Sequence, residues 1–113
     1  PLPLDGAWTL EGAASMSTVT VRLRVKPEQE AEFLRIFREV AAIVEADEPD
    51  CTIYAVWETG TPHEYFLVES YRSAAGRAVH EQRHAGVFQA FIDCLAGPPE
   101  TEVLGALVLG IPR

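Results

Sequence analysis

Basic residues and sulfur are both scarce in this chain. Among 113 residues there are nine Lys+Arg, of which Lys26 is the single lysine, with two cysteines and one methionine. Seventeen Asp+Glu outweigh the basic side chains and leave a formal charge of −8. Without a basic patch to neutralise phosphates, no nucleic-acid partner is expected. The same shortage disfavours an anionic membrane surface. No apolar run reaches the roughly 18 residues a bilayer-spanning helix needs, so no membrane partner is expected either. Cys51 and Cys94 form neither a disulfide framework nor a Cys-x-x-Cys pair. Both stand among apolar neighbours, which predicts buried free thiols and a reducing, cytoplasmic setting. A Gly-rich phosphate loop is missing as well, so no nucleotide cofactor is indicated.

What remains is enough for one domain with a modest core, since 48% of the residues are hydrophobic and 23% charged. Residues 1–15 stand apart, with two prolines, two glycines, no basic residue and no periodicity. They read as a disordered leader or appended segment ahead of a start at Met16, and the domain as residues 16–113. A melting temperature that survives their removal is the expectation.

From Thr18 the pattern is regular. Val19, Val21, Leu23 and Val25 alternate with Thr20, Arg22, Arg24 and Lys26, a period of two that predicts a strand. Pro27 ends it, and acidic Glu28, Glu30 and Glu32 open an amphipathic helix over residues 28–47. A second strand over 51–58 and a third over 64–71 flank the turn Thr59-Gly60-Thr61-Pro62 and read as a hairpin. Ser73 caps a helix through Arg83, interrupted near Gly86, and an apolar stripe from Val87 to Leu95 continues it. Ala74, Ala78 and Val87 define its expected inner face. Residues 101–111 are predicted as a last strand.

The order β-α-β-β-α-β predicts an α+β, ferredoxin-like split βαβ with an antiparallel sheet. Strands two to four are apolar on both faces, and one helical layer covers only one. A second copy of the sheet is the economical cover, so a homodimer is expected.

A small set of side chains carries candidate chemistry. His80 combines a near-neutral pKa class with a helical position, as a general base would. Glu69 interrupts an apolar strand; it is either paired, across a dimer or to an arginine such as Arg22 or Arg24, or a base with a raised pKa. His84 follows His80 by four residues, but a zinc site needs a third ligand and no zincin-like motif supplies one, so no metal is expected. Tyr54, Trp57, Tyr65 and Tyr71, with Phe88, are either core or the wall of an aromatic-ligand pocket. His63 reads as a surface residue of the hairpin loop.

Glu69-Ser70-Tyr71-Arg72-Ser73, followed by His80 nine residues after the tyrosine, resembles the antibiotic biosynthesis monooxygenase family of dimeric α+β barrels. The resemblance spans residues 17–111. It implies a cofactor-free monooxygenase acting on a small aromatic, quinol or polyketide-like substrate, with His80, Glu69 and Tyr71 catalytic. Val21, Tyr54, Trp57, Tyr65, His84 and Phe88 would bind the substrate. Heme-degrading relatives use an asparagine, a tryptophan and an iron-ligating histidine where this chain has Val21, His80 and about Ala90, which argues against heme. Two other classes stay open: a non-catalytic dimeric module that binds a small apolar ligand or serves a partner enzyme, and an isomerase or cyclase using the same acid–base groups.

Overall fold

A computed structural model describes residues 16–110. The alternating residues of the first segment form β1 (Ser17–Arg24), which pairs antiparallel with β3 (Glu64–Tyr71) and with β4 (Glu100–Val103). β2 (Cys51–Glu58) lies on the outer side of β3, so the sheet order is β2-β3-β1-β4. Helices α1 (Glu30–Asp47), α2 (Ala74–Arg83) and α3 (Ala85–Asp93) complete the α+β ferredoxin-like arrangement that the pattern predicts. The leader over 1–15 lies outside the described residues. Cys51 and Cys94 are free thiols.

Period two in β1 sets the layers. Val19, Val21 and Leu23 pair with Glu69, Leu67 and Tyr65, and this face turns towards the helices. Phe33, Ile36, Val40 and Val44 meet it from one stripe of α1. Phe33 stacks on Tyr65 with ring centroids 5.2 Å apart and meets Phe91 edge-on at 5.7 Å. Burying such side chains contributes roughly 1.5–3 kcal/mol each.

Three boundaries differ from the sequence expectation. The first helix begins with a 3₁₀ turn at Pro27–Gln29 and becomes α-helical at Glu30. The second helical region is two helices, parted at His84 rather than at Gly86. The expected strand over 101–111 stops at Val103. Among the described residues its ladder partner is β1; Val103 pairs with Val19, the Leu104 amide donates to the Thr18 carbonyl, and β1 begins at Ser17. With the partner strand used up, the apolar residues 104–109 leave the sheet, and Val108 and Leu109 are exposed.

The inner face of α2 also differs. Ala74 and Ala78 are not its buried residues; Gly76 and His80 are, followed by His84 at the same four-residue step. Ser73 Oγ caps the helix by accepting from the Gly76 amide at 3.1 Å. Gly76 packs so closely on Asp50 that a Cβ there would lie 2.7 Å from the Asp50 Cβ. The absence of a side chain at 76 therefore sets the seating of α2, and with it the depth of His80.

Candidate functional site

Between the helical layer and the sheet lies a cavity of about 510 Å³, within the size range of small-ligand pockets. Val19, Val21, Leu23 and Leu67 of the sheet form its floor, with Phe37 and Val40 of α1 on one side. Phe88, Phe91 and Ile92 of α3 form the other side, and Tyr54 stacks on Phe37 at 4.9 Å. Into this mostly apolar space reach Glu69 from β3 and His80 and His84 from α2 and its C-terminus.

The polar end is organised by a residue that the sequence did not single out. Glu48, the C-cap of α1, is buried with its carboxylate between the two histidines. His80 Nδ1 lies 2.7 Å from Glu48 Oε1, and His84 Nε2 lies 2.7 Å from Oε2. Arg83 Nη1 approaches Oε2 at 3.4 Å. Burial favours the neutral acid of Glu48, but the hydrogen bonds from His84 and His80, with their charges, outweigh it and hold the carboxyl below its ordinary range. An ionised carboxylate only accepts, so Nδ1 of His80 and Nε2 of His84 are the donors. In its neutral form His80 therefore carries its lone pair on Nε2.

That nitrogen lies 3.7 Å from Glu69 Oε1. The same oxygen accepts from the Tyr71 hydroxyl at 2.5 Å. Burial, then the bond to Glu69, pushes the Tyr71 phenol far above its ordinary range, so it stays a donor. Tyr54 is likewise raised by burial and by Glu69. The rings of Tyr54, Tyr71 and His84 surround His80 at centroid distances of 5.2, 5.5 and 4.6 Å.

Val21, Tyr54, Glu69, His80, His84 and Phe88 thus meet at one cavity. Three other candidates do not border it. Tyr71 is fully buried behind Glu69, which it orients. Tyr65 belongs to the core beneath Phe33. Trp57 pairs with Phe66, out of phase with Tyr54, so it lies on the sheet face away from the helices and is half exposed. The expected pairing of Glu69 with Arg22 or Arg24 is also replaced. Arg22 binds Glu64 at 2.9 Å from the opposite face of the sheet, and Glu69 takes Tyr71. His63 is exposed and bonds Glu30 at 2.7 Å. The third donor missing for a metal site is present in Glu48, which converges on His80 and His84. Only a residue 32 positions upstream completes the group, which is why helical spacing could not reveal it.

Comparison with known proteins agrees with this fold. Residues 16–93 match the family model described as antibiotic biosynthesis monooxygenase. A Caulobacter crescentus crystal structure, named provisionally as an antibiotic biosynthesis monooxygenase, superposes with a TM-score of 0.76 at 30% identity; the match covers 86% of this chain and 94% of that one. A Nitrosomonas europaea protein of unknown function, NE2512, matches at 26% identity and TM-score 0.67, over 90% of this chain and 99% of its own. Rv0793 of Mycobacterium tuberculosis shares the fold, with TM-score 0.74 at 21% identity, over 82% of this chain and 96% of that chain. No curated protein matches the chain significantly. No helix among the described residues is long and apolar enough to cross a membrane. The chain belongs to the antibiotic biosynthesis monooxygenase family.

Proposed function

We propose that this protein is a cofactor-independent monooxygenase for a small aromatic, quinol or polyketide-like substrate. One observation carries the reading. His80 presents Nε2 next to a mostly apolar cavity, while Glu48 holds Nδ1 through a 2.7 Å bond. Molecular oxygen reacts readily only with an electron-rich substrate anion, and His80 is placed to make one. Nε2 takes a phenolic or activated C–H proton, and the adjoining Glu69 carboxylate stabilises the imidazolium that forms. Glu48 stabilises the same cation from the other nitrogen. For a methylene flanked by arenes, the carbanion adds oxygen and the resulting peroxide takes up the proton. Its O–O bond then breaks as the second hydrogen leaves the carbon, giving a ketone and water. One oxygen atom ends in the carbonyl and the other in the water, so the substrate itself supplies all the electrons. Phe37, Phe88 and Phe91 supply the flat apolar walls such a substrate needs.

The experiment is oxygen uptake with a panel of dihydroxyaromatics and anthrone-like compounds, in chelator and without flavin. Uptake by the native protein that is lost in His80→Ala supports the reading. Silence across the panel, with thermal stabilisation by the same compounds, would instead favour a ligand-binding module.

The same reading includes a homodimer built sheet to sheet. Its support is the face opposite the helices, where Ile53 and Trp57 are exposed and Phe66 and Val68 half-buried. Sedimentation equilibrium giving a 12.4 kDa species at micromolar concentration would overturn it.

A further inference from the structure

We propose that Glu48, His80 and His84 form a binding site for a divalent transition metal of the zinc class. Their donor atoms, one carboxylate oxygen and two imidazole nitrogens, lie within 4.8 Å of one another. Metal ligands about 2.0–2.2 Å from a zinc-class ion stand roughly 3.3 Å apart, so small side-chain adjustments close the site around an ion. The present contacts of 2.7 Å already turn Nδ1 of His80 and Nε2 of His84 towards the Glu48 carboxylate, and a metal ion would take the place of the two protons that now lie between them. His80 lies on the buried face of α2 and His84, its C-cap, follows four residues later with its amide bonded to the His80 carbonyl, while Glu48 comes from the end of α1. The site therefore joins two elements that the fold itself holds together.

Three features favour a metal over other occupants. The donor set is nitrogen-rich with one carboxylate, which suits zinc, cobalt or ferrous iron better than calcium or magnesium. All three side chains are buried, so the ion would not compete with a full solvent shell. And His80 has a carboxylate at its far nitrogen: Glu69 Oε1 lies 3.7 Å from Nε2. An imidazole that ligates through Nδ1 keeps its one proton on Nε2, and a carboxylate facing that N–H is the usual outer partner of a metal-bound histidine. In the proton-held state the same carboxylate faces a lone pair. Metal entry thus converts an unfavourable pairing into a favourable one, with no net proton change on His80.

The proposal touches the oxygenase reading at His80. Proton on Nε2 makes the residue a donor to the cavity instead of a base. The metal-loaded and the base-competent protein are therefore alternative states. The binding measurement itself needs no substrate, so the two readings fail separately.

The test uses the full chain without a histidine tag, stripped with EDTA and then titrated. Zinc binding is followed by calorimetry and cobalt binding by visible absorption. The expected result is one ion per chain, with cobalt bands typical of four or five ligands that zinc abolishes. Glu48→Gln and His84→Ala should each weaken binding by about tenfold or more. His63→Ala, at an exposed histidine on the hairpin, should leave it unchanged. Circular dichroism identifies any variant that has lost its fold, and the cobalt spectrum of the native chain stands without variants. No stoichiometric binding at tens of micromolar, or binding that survives both Glu48→Gln and His84→Ala, or binding lost in His63→Ala, would overturn the proposal.

Discussion

Glu48 and His80 are 32 positions apart, yet Oε1 of one accepts from Nδ1 of the other at 2.7 Å, with both side chains almost fully buried. This bond decides which nitrogen of His80 can work. Removal of the imidazole in His80→Ala should lower kcat/KM for any accepted substrate by about 10²–10⁴-fold, the usual worth of a general base. Glu48 does not border the cavity, so Glu48→Gln should act only through the two histidines it holds, His80 and His84. Its amide can accept from only one histidine, which disturbs the tautomer of the other. The expected signature is a reduced kcat with KM nearly unchanged, read from steady-state oxygen uptake. A KM that rises while kcat holds would mean that Glu48 shapes the pocket rather than orienting the base.

Gly76 offers a test of how α2 is seated. A Cβ at this position would lie 2.7 Å from the Asp50 Cβ, a carbon next to the backbone that cannot swing away. Gly76→Ala gains up to about 1 kcal/mol of helix propensity. Forced overpacking typically costs about 1–3 kcal/mol, so the steric term wins. The variant should melt several degrees lower, at roughly 4–8 °C per kcal/mol for a domain of this size, measured by thermal circular dichroism. A higher melting temperature would show that the contact with Asp50 relaxes freely.

Much of this architecture was legible in the residues. The alternation of Val19, Val21 and Leu23, the acidic start of α1 and the hairpin around Gly60 fix the element order, because local periodicity reports which face each element buries. The pocket was half legible. Glu69 showed as a polar residue on an apolar strand and His80 through its nine-residue spacing from Tyr71, while Tyr54 and Phe88 could be read as either core or pocket wall, and the structure sets both at the cavity. Trp57 could not be assigned a face, because β2 is apolar on both sides and period two then carries no sign; a register irregularity between Cys51 and Ile53 blurs it further. Glu48 looked like one more acid in Asp47-Glu48-Pro49-Asp50. Only the return of α2 across the end of α1 turns it inward, and that is a tertiary fact.

Cys51 provides a pH-dependent readout beside the site. Burial, with Glu48 and Glu69 nearby, raises its thiol from the ordinary value of 9.0 to about 11. The shift favours the neutral thiol, so reactivity is suppressed below the folded pKa and appears as pH climbs towards it. At pH 8 only about one molecule in a thousand carries the thiolate, against roughly a tenth for a cysteine at the ordinary value. Alkylation of Cys51 by iodoacetamide, followed by peptide mapping, should therefore be slow at pH 8 and accelerate close to tenfold per pH unit up to about pH 10. Fast labelling below about pH 8 would contradict the raised value.

The sheet face away from the helices makes the last prediction. Ile53 and Trp57 of β2 are 44% and 53% exposed, and Phe66, the register partner of Trp57, lies beside them under the Arg22 guanidinium at 5.4 Å. A tryptophan half in water, next to a phenylalanine and a second aliphatic chain, is costly to leave uncovered and is the kind of anchor that carries interface energy. In a sheet-to-sheet homodimer this patch would be buried against its own copy. Trp57→Glu or Ile53→Asp would then bury an unpaired carboxylate in that interface, once from each copy. Neither side chain contributes to the buried core of the single chain, so the fold should persist. Each substitution should weaken self-association by about 30-fold or more, the equivalent of a hot-spot loss near 2 kcal/mol. The measurement is sedimentation velocity across a concentration series, with circular dichroism to verify the fold. A variant that stays dimeric at every concentration would place the interface elsewhere, while a native chain already monomeric would remove the dimer altogether.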